Sequence, residues 1–178
     1  MKTNSNSFED AHEFLLKLCS AGKCESFKCL LVIHSECLHC KHSTLLDDEV
    51  FGISCDINDT LAECLSSMLS PCIENWFCPG CHQQTQMSKT CSILSDPDVL
   101  LIQFQRFTFS GGAVKKLSSL VNFPLTGFLF HGSSYSLVAV VNHLGSCASG
   151  HYTSSVLNNN PWFSISDHNV SYIDSLHV

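Results

Sequence analysis

The chain has 178 residues, of which 12 are cysteines and 10 are histidines, and its formal net charge is −7 at pH 7. This acidic balance, with Arg106 as the single arginine, excludes a protein that binds nucleic acid by neutralising phosphates. No apolar run approaches the roughly 20 residues that span a bilayer, so we expect no membrane partner. An apolar content of 44% excludes a disordered chain, and the length predicts a single domain.

The start of the chain is polar over residues 1–7 and lacks the apolar segment of a secretory signal. We therefore expect a reducing compartment, with a cytoplasmic or nuclear location or both. Cysteines in such a compartment are more often buried, metal-bound or catalytic than paired in disulfides. The spacing of the cysteines is then the most informative feature of the sequence.

The first half of the chain predicts two helices with extended segments between them. Ser7 and Asp10 form a capping signal before apolar residues at helical spacing, which predicts a short helix that ends near Gly22. A second helix is predicted to have its cap at position 58 or 59 and to end before Pro71. The predicted extended segments cover residues 27–35 and 43–57.

The second half of the chain is predicted to form strands. They are expected at residues 86–94, 99–107, 135–143, 151–157 and 162–165, and the segment 99–107 is the strongest of them. Lys115 and Lys116, between these strands, are predicted to be solvated. Helices early in the chain and an antiparallel sheet later give an α+β fold class.

Two cysteine pairs have the spacing of metal ligands, namely Cys37 with Cys40 and Cys78 with Cys81. Two Cys-x-x-Cys turns supply the four thiolates that a structural zinc ion accepts in tetrahedral geometry. The 37 residues between Cys40 and Cys78 exceed the usual separation of about 15 to 20, so the chain must leave the site and return. The alternatives are two accidental pairs or a redox motif, and the turn residues favour zinc over both.

A loop rich in glycine and serine leads into His151, at the start of a predicted strand. The strand fixes the imidazole, and the glycines allow a substrate backbone to approach, which suits a general base. Ser166 and Asp167 follow the next strand, and either side chain can orient the His151 ring. Cys147 lies in the loop without an evident activating partner, so we do not assign it as the nucleophile.

Four separated segments resemble the ubiquitin-specific protease family. Glu9-Asp10-Ala11-His12-Glu13-Phe14-Leu15 is similar to the family motif Gln-Asp-Ala-His-Glu-Phe-Leu, and the cysteine pairs match the family's zinc fingers. Residues 99–107, followed by residues 121–124, resemble a strand of the family. Residues 135–170 resemble its histidine box, and within it residues 135–145 look most like the group around ubiquitin-specific protease 37.

The resemblance implies part of a papain-like cysteine protease domain with thumb, palm and fingers. Residues 1–25 would be a thumb helix remnant, 26–95 the zinc fingers and a helix, and 96–178 the palm with the histidine box. Members of the family are cysteine-type deubiquitinases, whose partners are ubiquitin and ubiquitinated proteins. They cut the isopeptide bond after the C-terminal glycine of ubiquitin.

Carried over by position, His151 is the general base, with Ser166 or Asp167 as the orienting residue. Asp10 and Gly150 are expected near the ubiquitin tail. The zinc ligands are then the two cysteine pairs. Some family members use Ser as the third triad residue, and its neutral hydroxyl stabilises an imidazolium less than a carboxylate does.

The family's nucleophilic cysteine lies well before the segment that begins at Asp10. We therefore expect no nucleophile in this chain and no hydrolysis of ubiquitin conjugates by the chain alone. The first hypothesis is a part of a deubiquitinase. The alternatives are a catalytically dead ubiquitin-binding module and a zinc-stabilised interaction domain without affinity for ubiquitin.

Overall fold

The computed structural model describes residues 10–147 and 149–178. The chain forms two compact units, and each contains one of the predicted functional centres. The cysteine unit comprises residues 19–105 and 119–123, and the histidine unit comprises the described residues of 1–18, 106–118 and 124–178. The predicted division into residues 1–25, 26–95 and 96–178 stays a prediction. No helix in the described part of the chain is long and apolar enough to cross a bilayer.

The helices are short and the strands dominate, as expected for an α+β protein with few helices. The α-helices are α1 (Ala11–Leu18) and α2 (Leu61–Leu69). The first seven strands are β1 (Cys29–Cys37), β2 (Ser43–Val50), β3 (Ile53–Cys55), β4 (Cys72–Cys78), β5 (Gln83–Ser95), β6 (Ile102–Phe104) and β7 (Phe107–Ser110). The others are β8 (Ala113–Lys116), β9 (Phe128–Phe130), β10 (Ser133–Tyr135), β11 (Ala139–Gly145), β12 (Gly150–Leu157), β13 (Trp162–Ser166) and β14 (Asn169–Ile173).

The cysteine unit is built on a four-stranded antiparallel sheet in the order β2-β1-β5-β4. Strand β4 had no counterpart in the predicted elements. Beside this sheet, a small core gathers around Cys55, Cys64 and Val121, with Phe104 and Ile102 packed against it. The sheet therefore carries the four-cysteine turns, and the core holds α2.

The cap of helix α2 lies one or two residues later than the predicted position 58 or 59. This cap is Thr60, whose hydroxyl accepts a hydrogen bond from the Glu63 amide at 3.2 Å. The Glu63 carboxylate in turn accepts from the Thr60 amide at 2.9 Å. This reciprocal capping box satisfies two N–H groups at once, whereas a cap at Asn58 or Asp59 would satisfy one.

The predicted strand at residues 99–107 is largely wrong, because β6 covers only its central part. Strand β6 pairs in parallel with β3, which is itself three residues long. The flanking hydrogen bonds run from the Ile53 amide to the Leu101 carbonyl and from the Gln105 amide to the Cys55 carbonyl, both at 2.9 Å. The short partner therefore limits the strand, and this pair departs from the expected antiparallel pattern.

The histidine unit contains α1, two hairpins and a four-stranded antiparallel sheet. In α1, the Asp10 carboxylate accepts a hydrogen bond from the Glu13 amide at 2.9 Å, while the predicted partner in the cap, Ser7, lies outside the described residues. The sheet has the order β11-β12-β13-β14, which confirms the predicted meander. Its last strand, β14, follows a turn at Asp167 with φ of +51° and was not predicted.

Removing the Thr60 hydroxyl tests the capping box. We expect Thr60→Ala to lower the free energy of unfolding by about 1 kcal/mol, because the first turn of α2 loses a hydrogen bond to the Glu63 amide. Urea unfolding followed by circular dichroism measures the change. Thr60→Ser is the matched control, since it keeps the hydroxyl. Equal losses in the two variants would contradict the assignment of the cap.

Candidate functional site

The four predicted metal ligands come together at one end of the antiparallel sheet in the cysteine unit. The Sγ atoms of Cys37, Cys40, Cys78 and Cys81 all lie within 4.8 Å of one another. Cys37 ends β1 and Cys78 ends β4, and each is followed by a tight turn that carries the second cysteine. The cluster can hold a metal ion, and the sheet explains how the chain leaves the site and returns to it.

The two cysteine turns have the same local geometry. Lys41 and His82, which follow the second cysteine of each pair, both adopt positive φ, at +62° and +55°. Their amides donate to the carbonyls of Cys37 and Cys78, at 3.0 and 2.8 Å. Each turn thus places its pair of thiols on the same side, as a shared ion requires.

Backbone amides in these turns also point at sulfur. The Cys40 amide donates to Cys37 Sγ at 3.5 Å, and the Gly80 amide donates to Cys78 Sγ at 3.3 Å. The hydrogen bond from the Cys40 backbone is the main cause that lowers the pKa of Cys37 to about 6. Burial instead raises the pKa of Cys81 to about 12. Four adjacent thiols cannot all ionise without a compensating cation, so the donor set fits a thiophilic divalent metal.

The other eight cysteines divide by burial. Four are buried, which agrees in part with the expectation that most of them are small core residues. Burial raises the pKa of Cys55 to about 12, so that thiol stays protonated and inert at neutral pH. Cys72 is exposed and departs from the expectation, and Cys147 is exposed in the loop before His151.

His151 lies at the start of β12, and its ring faces the end of β13. His151 Nε2 is 2.8 Å from the Ser166 hydroxyl oxygen but 3.9 Å from the nearer Asp167 carboxylate oxygen. The Asp167 side chain is 75% exposed. Ser166 therefore makes the hydrogen bond, and the second ring nitrogen, Nδ1, is left to exchange a proton. This arrangement suits a general base held in orientation by a hydroxyl.

The His151 ring borders a cleft of about 450 Å³ within the histidine unit, and Asp10, Gly150 and Tyr152 also line it. Besides capping α1, Asp10 accepts a hydrogen bond from the Tyr152 hydroxyl at 3.4 Å. Burial raises the pKa of Tyr152, so its hydroxyl keeps the proton that it donates. The cleft therefore brings Asp10 and Gly150, the two predicted substrate-binding residues, together with Tyr152.

Gly150 is confined by its neighbours. A Cβ atom at this position would run into the imidazole Nε2 of His143 and would lie 2.5 Å from the Leu144 carbonyl oxygen. The His143 ring also packs against Tyr152 in a tilted arrangement, with 4.8 Å between ring centroids and 44° between the ring planes. The glycine is thus required by packing within the protein, which a sequence pattern does not reveal.

Cys147 is the only cysteine among the described residues that line the cleft. Its thiol donates to the Val114 carbonyl at 3.6 Å. The thiol is thus engaged with a backbone oxygen, and the expectation that Cys147 is not the nucleophile stays a prediction.

An imidazole held by a hydroxyl at the edge of a cleft suits a hydrolase that uses a general base. Comparison with known proteins identifies the family. The family model "Ubiquitin carboxyl-terminal hydrolase" matches residues 2–177. The chain belongs to this family, which confirms the resemblance to the ubiquitin-specific proteases. The narrower resemblance to the ubiquitin-specific protease 37 group stays a prediction.

Curated relatives give the same result. The chain is 35% identical over 131 residues to ubiquitin carboxyl-terminal hydrolase 5 of Arabidopsis thaliana, covering 65% of this chain and 14% of that protein. It is 34% identical over 128 residues to ubiquitin carboxyl-terminal hydrolase 12 of Saccharomyces cerevisiae, covering 63% of this chain and 10% of the relative. The matched part is therefore a small fraction of these proteins.

Solved structures confirm the fold. A chain of the SAGA DUB module with Ubp8, Sgf11, Sus1 and Sgf73, bound to monoubiquitin, aligns with a TM-score of 0.76 and 25% identity. The alignment covers 95% of this chain and 45% of that chain. A chain of the yeast SAGA DUB module aligns with a TM-score of 0.73 and 25% identity, over 96% of this chain and 43% of the other. The expected partial α+β fold of a ubiquitin-specific protease is thus confirmed.

A double-mutant cycle tests the packing of Gly150 against His143. We expect Gly150→Ala to destabilise the protein by roughly 1–3 kcal/mol, because the new methyl group displaces the imidazole. In a His143→Ala background the same change should cost less, because only the close approach to the Leu144 carbonyl oxygen remains. Thermal and urea unfolding of the four proteins measure the coupling. Additive effects would contradict the contact.

Proposed function

We propose that this chain carries the general base and the tail-binding cleft of a cysteine-type deubiquitinase. The observation that carries the proposal is the 2.8 Å hydrogen bond between His151 Nε2 and Ser166 Oγ, at the edge of a cleft bordered by Gly150. Family membership over residues 2–177 supports the same reaction class. The substrates are proteins joined to ubiquitin through an isopeptide bond.

In the proposed reaction, His151 Nδ1 takes the proton of a cysteine thiol, and the thiolate attacks the carbonyl carbon of the isopeptide bond. A thioester forms as the bond to the lysine nitrogen breaks, and His151 returns the proton to the leaving amine. Water then hydrolyses the thioester. The described cysteine in the cleft, Cys147, is directed at Val114, so the thiol in this scheme is not assigned to it.

Ser166 is the proposed orienting residue. Its hydroxyl holds Nε2, which turns Nδ1 towards the reacting thiol. Because the hydroxyl is neutral, it stabilises the imidazolium less than a carboxylate does. The exposed Asp167 carboxylate, 3.9 Å away, adds only a solvent-screened attraction. We therefore expect slower turnover than in a relative with Asp at the orienting position.

Ubiquitin is the proposed partner of the cleft. Gly150 and His151 border the cleft, and the ubiquitin tail that would enter it ends in glycine. The SAGA DUB module that aligns with this chain was solved bound to monoubiquitin, which supports the proposal. Asp10 has a carboxylate oxygen at the cleft, where it can accept a hydrogen bond from the backbone of the tail.

Zinc is the proposed occupant of the four-cysteine cluster, and its role is structural. Four thiolates complete a tetrahedral shell and leave no open position for chemistry. The amides that point at Cys37 and Cys78 neutralise part of the thiolate charge. The bound ion would cross-link the turn between β1 and β2 to the turn between β4 and β5.

Removing the metal tests this assignment. We expect a chelator to unfold the cysteine unit, because apparent binding free energies of about 10–16 kcal/mol in small zinc domains are folding free energies. Circular dichroism and the melting temperature report the loss. Cys78→Ser should reproduce it, whereas Cys72→Ser, on the same strand but outside the cluster, should not. An unchanged melting temperature in the chelator would contradict the metal site.

Titration with ubiquitin tests the cleft. In ¹⁵N-labelled protein, we expect saturable shifts of the Gly150 and His151 amides with intact ubiquitin. A ubiquitin shortened at its C-terminus is the matched control and should leave these two amides unshifted. Identical responses to both ligands would contradict the tail site and leave a surface-only ubiquitin-binding module. Absence of any response would favour the interaction domain without ubiquitin affinity.

A further inference from the structure

Lys116 makes three polar contacts that the solvated side chain predicted from sequence would not make. It is half-buried at the end of β8, and its Nζ lies 2.7 Å from the His143 carbonyl oxygen and 3.1 Å from the Gly145 carbonyl oxygen. The third contact, at 3.0 Å, is to His143 Nδ1. A lysine ammonium has three N–H donors, so these three acceptors use all of them.

The contact with His143 fixes a tautomer. An ammonium offers no acceptor, so Nδ1 of His143 must be the unprotonated nitrogen and Nε2 must carry the ring proton. Protonation of Nδ1 would remove this acceptor and place two cations 3.0 Å apart. Lys116 therefore holds the imidazole in one orientation, with Nδ1 towards the ammonium.

The orientation of the His143 ring determines the space available to Gly150, the residue before His151. The His143 ring lies between two aromatic side chains. Phe107 packs edge-on against it with 6.2 Å between ring centroids, and the Tyr152 ring centroid is 4.8 Å away. The imidazole Nε2 of His143 occupies the place that a Gly150 side chain would take. Gly150 and Gly145 are also opposite each other in the β11–β12 ladder, so both ends of the loop between these strands are in contact with the Lys116–His143 pair.

We propose that Lys116 is a positioning residue that fixes the Nε2–H tautomer of His143 and thereby holds Gly150, next to His151. Its functional meaning depends on the proposed role of His151 as the base. The described contacts of Lys116 are to His143 and Gly145 and not to His151. Lys116 acts by holding the backbone segment that carries the proposed base, His151.

NMR of the histidine rings tests the tautomer without any ligand. In the native chain labelled with ¹⁵N-histidine, we expect an acceptor-type shift at His143 Nδ1 and a protonated-type shift at Nε2. The variant His143→Gln assigns the signals. In Lys116→Met the two shifts should move towards the averaged values of exchanging tautomers. Lys115→Met, which removes the same charge from the exposed neighbour, should leave them unchanged.

Hydrogen exchange gives a second measurement. The Ser146 amide donates to the Ser149 carbonyl at 2.8 Å, directly beyond Gly145. We expect its protection to fall on the order of tenfold in Lys116→Met, since the loss of one hydrogen bond costs about that factor. Lys116→Arg should not restore protection, because its donors lie in one plane. If Lys116→Met fails to fold, Lys116→Arg alone carries the test.

The outcomes separate this proposal from the proposed function. A protonated Nδ1 in the native chain, or unchanged shifts in Lys116→Met, would overturn the role of Lys116 whatever ubiquitin does. Conversely, the native chain could show the Nε2–H tautomer of His143 but no shift of Gly150 that depends on the ubiquitin tail. That outcome would overturn the proposed tail-binding cleft and support the Lys116–His143 contact. Support for both requires that Lys116→Met weaken the tail-dependent shift of Gly150 while Lys115→Met retains it.

Discussion

The convergence of four sulfur atoms is the constraint on which the cysteine unit depends. Its sheet has exposed edge strands, and β2 is exposed along nearly its whole length. Few side chains of the sheet are buried, and Cys37 and Cys78 are among those with no exposed surface. A small core of this kind commonly needs a metal to supplement burial. The cluster can perform that function because it joins two turns that lie 37 residues apart.

In the histidine unit, a side-chain cation holds neighbouring backbone segments together. The Lys116 ammonium gathers two carbonyls and a ring nitrogen within 3.1 Å. Backbone carbonyls at a strand end otherwise need water or another donor. Lys116 orders the chain here and is not among the described residues that line the cleft. Tyr152 and Asp10 then tie the first helix to the same sheet through their hydrogen bond.

Much of this arrangement follows from the sequence, and the remainder depends on register and backbone acceptors. Two Cys-x-x-Cys spacings suffice to predict the cluster, and period-two patterning with turn residues predicts the meander. The cap at Thr60 was missed because Asn58 and Asp59 rank above threonine in intrinsic cap preference, whereas the reciprocal hydrogen bonds with Glu63 select Thr60. Lys116 was missed because two of its three acceptors are carbonyl oxygens, which every residue type possesses.

The register between β12 and β13 determines whether Ser166 or Asp167 faces the His151 imidazole. Strand pairing places Ser155 opposite Ser164, and side chains two residues apart share a face, so His151 and Ser166 lie on the same side of the sheet. Asp167 comes one residue later, in a left-handed turn conformation, and its side chain extends into solvent. A shift of one residue in the β12–β13 register would exchange these positions. The loop at residues 158–161, which sets that register, therefore also determines that a hydroxyl rather than a carboxylate faces the imidazole.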